Sequence, residues 1–242
     1  QAERFGAVIE YGEVQSINRT GETLVVKTEY AEFTAKSVLI GTGSDYNKIN
    51  VPGEAEYYGR GVHYCATCDG AFYRDKKLAV VGGGNSGVQE AIFLTRFASH
   101  IDLLVRSTIK ASSVLQRELQ KYVDEGKVTI HLGTTIDEIK ATDGKVASVA
   151  IDADGVKSEL VVDGVFVFVG LKPNTQFLEG TPVALDEQRL VVTDAQYHTG
   201  MKGVFASGDV RSGATMQVAS AVGEGASAAL AIRHYLEDLE RQ

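Results

Sequence analysis

Leu78-Ala79-Val80-Val81-Gly82-Gly83-Gly84-Asn85-Ser86-Gly87 decides the fold class. The apolar run Lys77–Val81 reads as a buried parallel strand, and Gly82-x-Gly84-x-x-Gly87 fits the dinucleotide fingerprint directly after it. Beyond the loop, Val88, Ala91 and Ile92 recur at helical spacing, with Thr95 completing the stripe. The glycines permit a tight turn, close approach of a pyrophosphate and close helix–strand packing. The helix start offers unpaired N–H groups and a positive dipole end. Alone, the glycine pattern is weak, and a turn that holds nothing would explain it. The strand before it and the helix after it make it specific. Further along, His100–Val105 predicts the next strand. Val114–Asp124 predicts a helix stopped near Gly126, and Val128-Thr129-Ile130 predicts a third strand. This β-α-β-α-β order implies a parallel sheet with right-handed crossovers.

Just upstream lies Cys65-Ala66-Thr67-Cys68-Asp69, which uses both cysteines of the chain. Two thiols at this spacing can close a small disulfide ring and reopen it, and a nearby helix start lowers a thiol pKa. Asp69 is placed to shuttle a proton to a leaving thiolate. A structural zinc site would want four ligands, and only His63 and Asp69 are near in sequence. Two buried core thiols would be expected in an apolar run, whereas this stretch is polar and flanked by glycine. A redox pair beside a hydride-carrier site suggests electrons passing from a nicotinamide to a disulfide.

The flanking sequence reads as β structure before the loop and mixed structure after it. Ala7-Val8-Ile9, Val14-Gln15-Ser16-Ile17 and Thr23-Leu24-Val25-Val26 are short strand-like runs separated by Gly12 and by residues 18–21. Ser37-Val38-Leu39-Ile40 stops at Gly41-Thr42-Gly43, which suits close approach of a ligand to backbone. Asp45–Gly61 reads as a connection. Asp143-Gly144 and Asp154-Gly155 predict hairpin turns around an inserted antiparallel meander. Gly164–Gly170 predicts another buried strand. Val204-Phe205-Ala206 runs into Ser207-Gly208-Asp209, and the pattern from Val218 to Leu239 is helical.

Composition narrows the partners. A net charge of −8 over 242 residues argues against nucleic acid. No apolar run approaches a membrane span. Two cysteines without a wider framework point to a reducing compartment, the cytoplasm.

Three further groups are candidates for cofactor binding. The second strand of the dinucleotide unit ends Leu104-Val105-Arg106-Ser107, with no carboxylate at its tip for a ribose hydroxyl. Arg106, Ser107 and Lys110 instead suit a 2′-phosphate, which favours NADP and keeps NAD as an alternative. Gly208-Asp209 after an apolar strand suits a flavin ribityl hydroxyl, although a turn or helix cap explains it equally well by spacing alone. Gln217, at the start of the last helix, says little by itself.

Taken together, these pieces resemble the low-molecular-weight thioredoxin reductases, a branch of the flavoproteins with two dinucleotide-binding domains. The family's C-A-T-C-D-G run stands here as Cys65–Gly70, and its G-G-G-N loop as Gly82-Gly83-Gly84-Asn85 followed by Ser86. Its A-T-G turn stands as Gly41-Thr42-Gly43, and its "G-x-x-P-N-T" run as Gly170–Thr175. Its G-D-V stands as Gly208-Asp209-Val210, and its R-Q-A as Met216-Gln217-Val218. The likeness runs in order over nearly the whole chain.

The resemblance implies an α/β protein with two Rossmann-like, three-layer ββα nucleotide-binding domains. The FAD domain is then discontinuous, residues 1–48 and 168–242, and the NAD(P)H domain with the cysteine pair covers 49–167. No second glycine fingerprint precedes Gly41, so the FAD domain is expected to be incomplete at its N-terminus. In the family's H-R-R-x-x-x-R motif, Val105-Arg106-Ser107 and Lys110 retain at most two of three basic groups. The implied activity is an NAD(P)H-dependent reductase of thioredoxin that works through FAD. Cys68 is then the flavin-proximal sulfur, Cys65 the interchange thiol and Asp69 the acid/base. The resemblance also implies a homodimer, and domain rotation about hinges near Tyr46–Val51 and Phe166–Gly170. The alternatives are reduction of another redox carrier, or a nucleotide-binding fragment without catalysis.

Overall fold

The computed structural model describes residues 1–241. The chain forms two compact units: Gln1–Asp45 with the chain from Lys172 onward, and Tyr46–Leu171.

The first unit opens with an antiparallel sheet of β1 (Val14–Thr20), β2 (Thr23–Thr28) and β3 (Glu32–Ala35), in that order. Strand-like sequence at Ala7-Val8-Ile9 does not form a strand: residues 7–13 are irregular, with Val8 81 % exposed. The ladder between β1 and β2 ends at Val14↔Thr28, so the earlier run has no neighbour to pair its backbone groups, and local propensity is not enough. Next comes β4 (Val38–Ile40). The chain leaves this unit within β5 (Ser44–Tyr46).

The second unit is built on a parallel sheet of β6 (Val62–His63), β7 (Lys77–Val81), β8 (His100–Val105), β9 (Val128–Leu132) and β13 (Gly164–Val167). Its order is β6-β13-β7-β8-β9. The short α1 (Ala66–Asp69) follows β6, α2 (Asn85–Leu94) follows β7, and α3 (Ser113–Asp124) follows β8. The antiparallel meander of β10 (Thr134–Thr142), β11 (Lys145–Ala153) and β12 (Val156–Val161) lies between β9 and β13. Both predicted Asp-Gly turns form as two-residue loops with positive φ at both positions, the geometry that matches strand twist.

Because side chains alternate across a strand, each core strand feeds two cores. Leu78, Val80, Ile101, Leu103, Val105 and Phe166 pack with Val88, Ala91 and Leu119 of the helices. Ala79, Leu104, Val165 and Val167 pack with Ile136, Ile139, Val149 and Ile151 of the meander. Burial on both faces is why these strands read as continuous apolar runs.

The chain returns to the first unit through β14 (Leu171–Pro173), which neighbours β5. There β15 (Val204–Ala206) pairs in parallel with β4, and α4 (Val218–Glu240) closes the described chain. Ile17, Leu24, Ile40, Leu178, Val191 and Val204 form this unit's core. Among the described residues no helix is long and apolar enough to cross a membrane.

Candidate active site

In a parallel sheet, ligands gather at the C-terminal ends of the strands. The chain leaves β7 at Gly82, whose φ of +141° is one that residues with a side chain rarely adopt. The Phe168 N–H donates to Val81 O at 2.8 Å and the Gly82 N–H to Leu104 O at 3.1 Å, which pins the loop between β13 and β8. At Gly87 an added Cβ would run into the Gly82 carbonyl, so α2 approaches the loop only because this residue has no side chain. Gly84 caps α2 in extended geometry without a side-chain bond, leaving the first N–H groups of the helix directed outward.

A second loop is tied to the first. The Lys110 N–H donates to Gly83 O at 2.7 Å, and the Ser112 N–H to Asn85 Oδ1 at 2.8 Å. Together these loops wall a cavity of about 670 Å³, lined by Gly82, Gly83, Gly84, Asn85, Ser86, Arg106, Ser107 and Lys110. Every sequence-predicted residue for the pyridine nucleotide is therefore in one place. Sequence reasoning missed Lys48, Thr134, Thr135 and Phe168, which line the same cavity. Thr134 and Thr135 follow the end of β9, so the strand-end rule could have found them. Lys48 carries no comparable signal.

The cysteine pair follows the end of β6. Cys65 is the N-cap of α1, and the Cys68 N–H donates to its Sγ at 3.1 Å. The two sulfurs are bonded to each other, with the Cα atoms 5.3 Å apart. β6 and β7 flank β13, and His63, Phe166 and Val80 stand at one level in the register. Cys65 and Gly82 each lie two residues further on in sequence, past the ends of β6 and β7. Asp69 ends α1, and its Oδ2 lies 3.1 Å from His63 Nδ1. The His63 Nε2 lies 2.7 Å from the Tyr73 hydroxyl. Burial pushes His63 below the usual imidazole pKa, against the pull of Asp69. Tyr73 is pushed up to about 12, by burial first and then by Asp69 and Asp163.

In the other unit, β4 and β15 deliver two turns side by side. Gly41-Thr42-Gly43 is held by Asn174: Thr42 Oγ1 donates to Asn174 O at 2.7 Å, and the Asn174 Nδ2 returns a bond to Thr42 O at 3.1 Å. Ser44 Oγ donates to Asp209 O at 2.6 Å. Glu224 of α4 accepts from the Gly208 N–H at 2.9 Å and takes both Nε and Nη2 of Arg211. The Asp209 Oδ1 is buried and has no hydrogen-bond partner. A buried carboxylate oxygen without a donor is costly, and a sugar-alcohol hydroxyl is the kind of group that would satisfy it. Gln217 is the N-cap of α4 and Val218 its first residue, 81 % exposed.

A parallel sheet that presents a dinucleotide loop and a redox-spaced disulfide at the same edge, on strands one apart, defines a nucleotide-dependent thiol–disulfide oxidoreductase. Comparison with known proteins agrees. The profile described as pyridine nucleotide-disulphide oxidoreductase matches residues 3–225. The chain is 39 % identical over 242 residues to the thioredoxin reductase of Bacillus subtilis (strain 168), covering 99 % of this chain and 75 % of that protein. The crystal structure of thioredoxin reductase from Streptococcus pyogenes MGAS5005 superposes with a TM-score of 0.91 at 40 % identity, covering 98 % of this chain and 77 % of that one. Thioredoxin reductase from Giardia duodenalis superposes at 0.90 and 31 % identity, covering 98 % and 78 %. The chain belongs to the pyridine nucleotide-disulphide oxidoreductase family. It is an oxidoreductase of the flavoprotein disulfide-reductase type.

Proposed function

We propose that this protein reduces thioredoxin with electrons from NADPH, through FAD and the Cys65–Cys68 pair. The observation that carries this reading is a disulfide and a dinucleotide loop following two strands that flank β13 in one sheet, in a chain similar to named thioredoxin reductases over almost its full length. The overall reaction balances as NADPH, one proton and a disulfide giving NADP⁺ and a dithiol. FAD, when bound, would supply the two-electron relay between the nicotinamide and the sulfurs.

The residues divide the work by place. Gly82, Gly83, Gly84, Asn85 and Ser86 hold the pyrophosphate of the pyridine nucleotide with backbone N–H groups and the start of α2. Arg106, Ser107 and Lys110 hold its 2′-phosphate, and NAD, which lacks that phosphate, binds with fewer contacts. Gly41, Thr42, Gly43, Gly208, Asp209, Gln217 and Val218 belong to the FAD side, where the unpartnered Asp209 oxygen suits a ribityl hydroxyl. The proposed domains follow: residues 49–167 for NAD(P)H, with 1–48 and 168–242 for FAD. Cys68 would be the sulfur that takes electrons from reduced flavin, Cys65 would exchange with the substrate disulfide, and Asp69 would give and take the thiol proton. The reading places the protein in the cytoplasm as a homodimer.

The test is turnover of thioredoxin by the holoenzyme, followed as NADPH oxidation. Cys68→Ser is expected to abolish disulfide reduction and leave NADPH binding intact. Loss of both together, or full activity in the variant, would overturn the assignment.

A further inference from the structure

His63 is 7 % exposed, and both of its ring nitrogens are engaged. The ring stacks on Phe166 with centroids 5.1 Å apart and meets Tyr73 edge-on at 5.3 Å. A carboxylate only accepts hydrogen bonds, so the contact with Asp69 requires a proton on Nδ1. In the neutral ring Nε2 is then an acceptor, and the Tyr73 O–H donates to it. The result is a directed chain, Tyr73 O–H to His63 Nε2 and His63 Nδ1–H to Asp69 Oδ2, that ends on the carboxylate next to Cys68. Packing on Phe166 fixes the plane of the ring, so the chain has one geometry.

We infer that His63 is a positioning residue for Asp69, holding its carboxylate in the orientation from which it exchanges a proton with the Cys65–Cys68 dithiol. This rests on the reading of Asp69 as the acid/base. Opening the S–S bond takes up two electrons and two protons. One proton arrives with the reducing equivalents and one is drawn from solvent. Asp69 takes up the solvent proton on its other oxygen and hands it to one nascent thiolate, while Oδ2 goes on accepting from His63 Nδ1–H. When the dithiol is reoxidised the thiol proton returns to Asp69. The imidazole is neither consumed nor permanently charged.

The charged and titratable neighbours are few. Asp69 comes from α1 and Tyr73 from the turn after it. β13 presents only the apolar Phe166, and Asp163, just before β13, acts on Tyr73 and is paired with Lys76 at 3.3 Å. Burial lowers the imidazole pKa and so favours the neutral ring, and the contacts with Asp69 and Tyr73 select its Nδ1–H tautomer.

The experiment uses the holoenzyme, full length, and reads the pH profile of iodoacetamide alkylation of the reduced pair alongside ¹⁵N NMR of the histidines. In the native protein His63 is expected as the Nδ1–H tautomer, with a titration that differs between the disulfide and dithiol states. His63→Leu is expected to slow thioredoxin turnover about tenfold, a fraction of what a general acid contributes, and to shift the alkylation profile. His63→Asn, which keeps a donor at this position, should recover most of the turnover. An Nε2–H tautomer in the native protein, or a His63 titration indifferent to the state of the sulfurs, overturns the inference even if His63→Leu fails to fold. So does an alkylation profile that both substitutions leave unchanged. Asp69→Asn separates the two levels: if it too leaves the profile unchanged, the acid/base reading falls; if it shifts the profile while the His63 variants do not, only the positioning role falls.

Discussion

Gly87 shows how much one missing side chain can carry. It is the last glycine of the fingerprint and sits under the Gly82 carbonyl with no room for a Cβ. Gly87→Ala must push α2 off the loop, at a cost of about 1–3 kcal/mol. NADPH affinity is expected to fall roughly tenfold or more, each tenfold being about 1.4 kcal/mol, while the Cys65–Cys68 disulfide still forms; a calorimetric titration and a thiol count check both. The role of this residue was legible in sequence because a glycine pattern between strand and helix has few other uses. His63 was not legible. Its contact with Asp69 spans six residues, but its other contacts depend on the turn that brings Tyr73 back and on β13 supplying Phe166 from about a hundred residues away. No local pattern encodes that meeting.

At the scale of elements, the strands buried on both faces and the two Asp-Gly hairpins followed directly from sequence, since each obeys a short-range rule. β6 did not. It is two residues long and exists because β13 lies beside it. The run Ala7-Val8-Ile9 is the converse case, with strand composition and no neighbour to pair with. The loop after β8 carries a prediction of its own. Arg106→Ala removes one charge-assisted contact to a 2′-phosphate, worth about 1.5–3 kcal/mol. NADPH binding should weaken roughly ten- to a hundredfold while NADH binding stays unchanged; parallel titrations decide. α4 holds the turn at Gly208 through Glu224, and the paired Arg211 keeps that carboxyl below the usual carboxylate range. A depressed folded pKa means the stabilisation is complete above the ordinary carboxylate value and is lost as pH falls through the lower one. Glu224→Gln is expected to cost about 1–3 kcal/mol at pH 7 and to flatten the acid limb of stability, as read by urea unfolding across pH.

For the molecule as a whole, the division of labour between the units is the part sequence order announces most clearly. The unit Tyr46–Leu171 is continuous, and both of its cores are assembled from its own residues. Expressed alone, residues 46–171 are expected to fold cooperatively, form the disulfide and bind NADPH within a few-fold of the full chain. An unfolded fragment by circular dichroism would refute this. The other unit has no such independence, because β4 is complete only when β15 pairs with it, Val38 with Val204, some 160 residues later. On a ribosome adding about 5–20 residues per second, β4 emerges roughly 10–30 s before its mate. During that wait Ile40 and its neighbours have no core to enter, while the continuous unit can already have closed. Nascent chains of this protein are thus expected to expose the stretch around β4 to holdase chaperones, and slowing translation between the two strands would lengthen that exposure without touching the nucleotide-binding half.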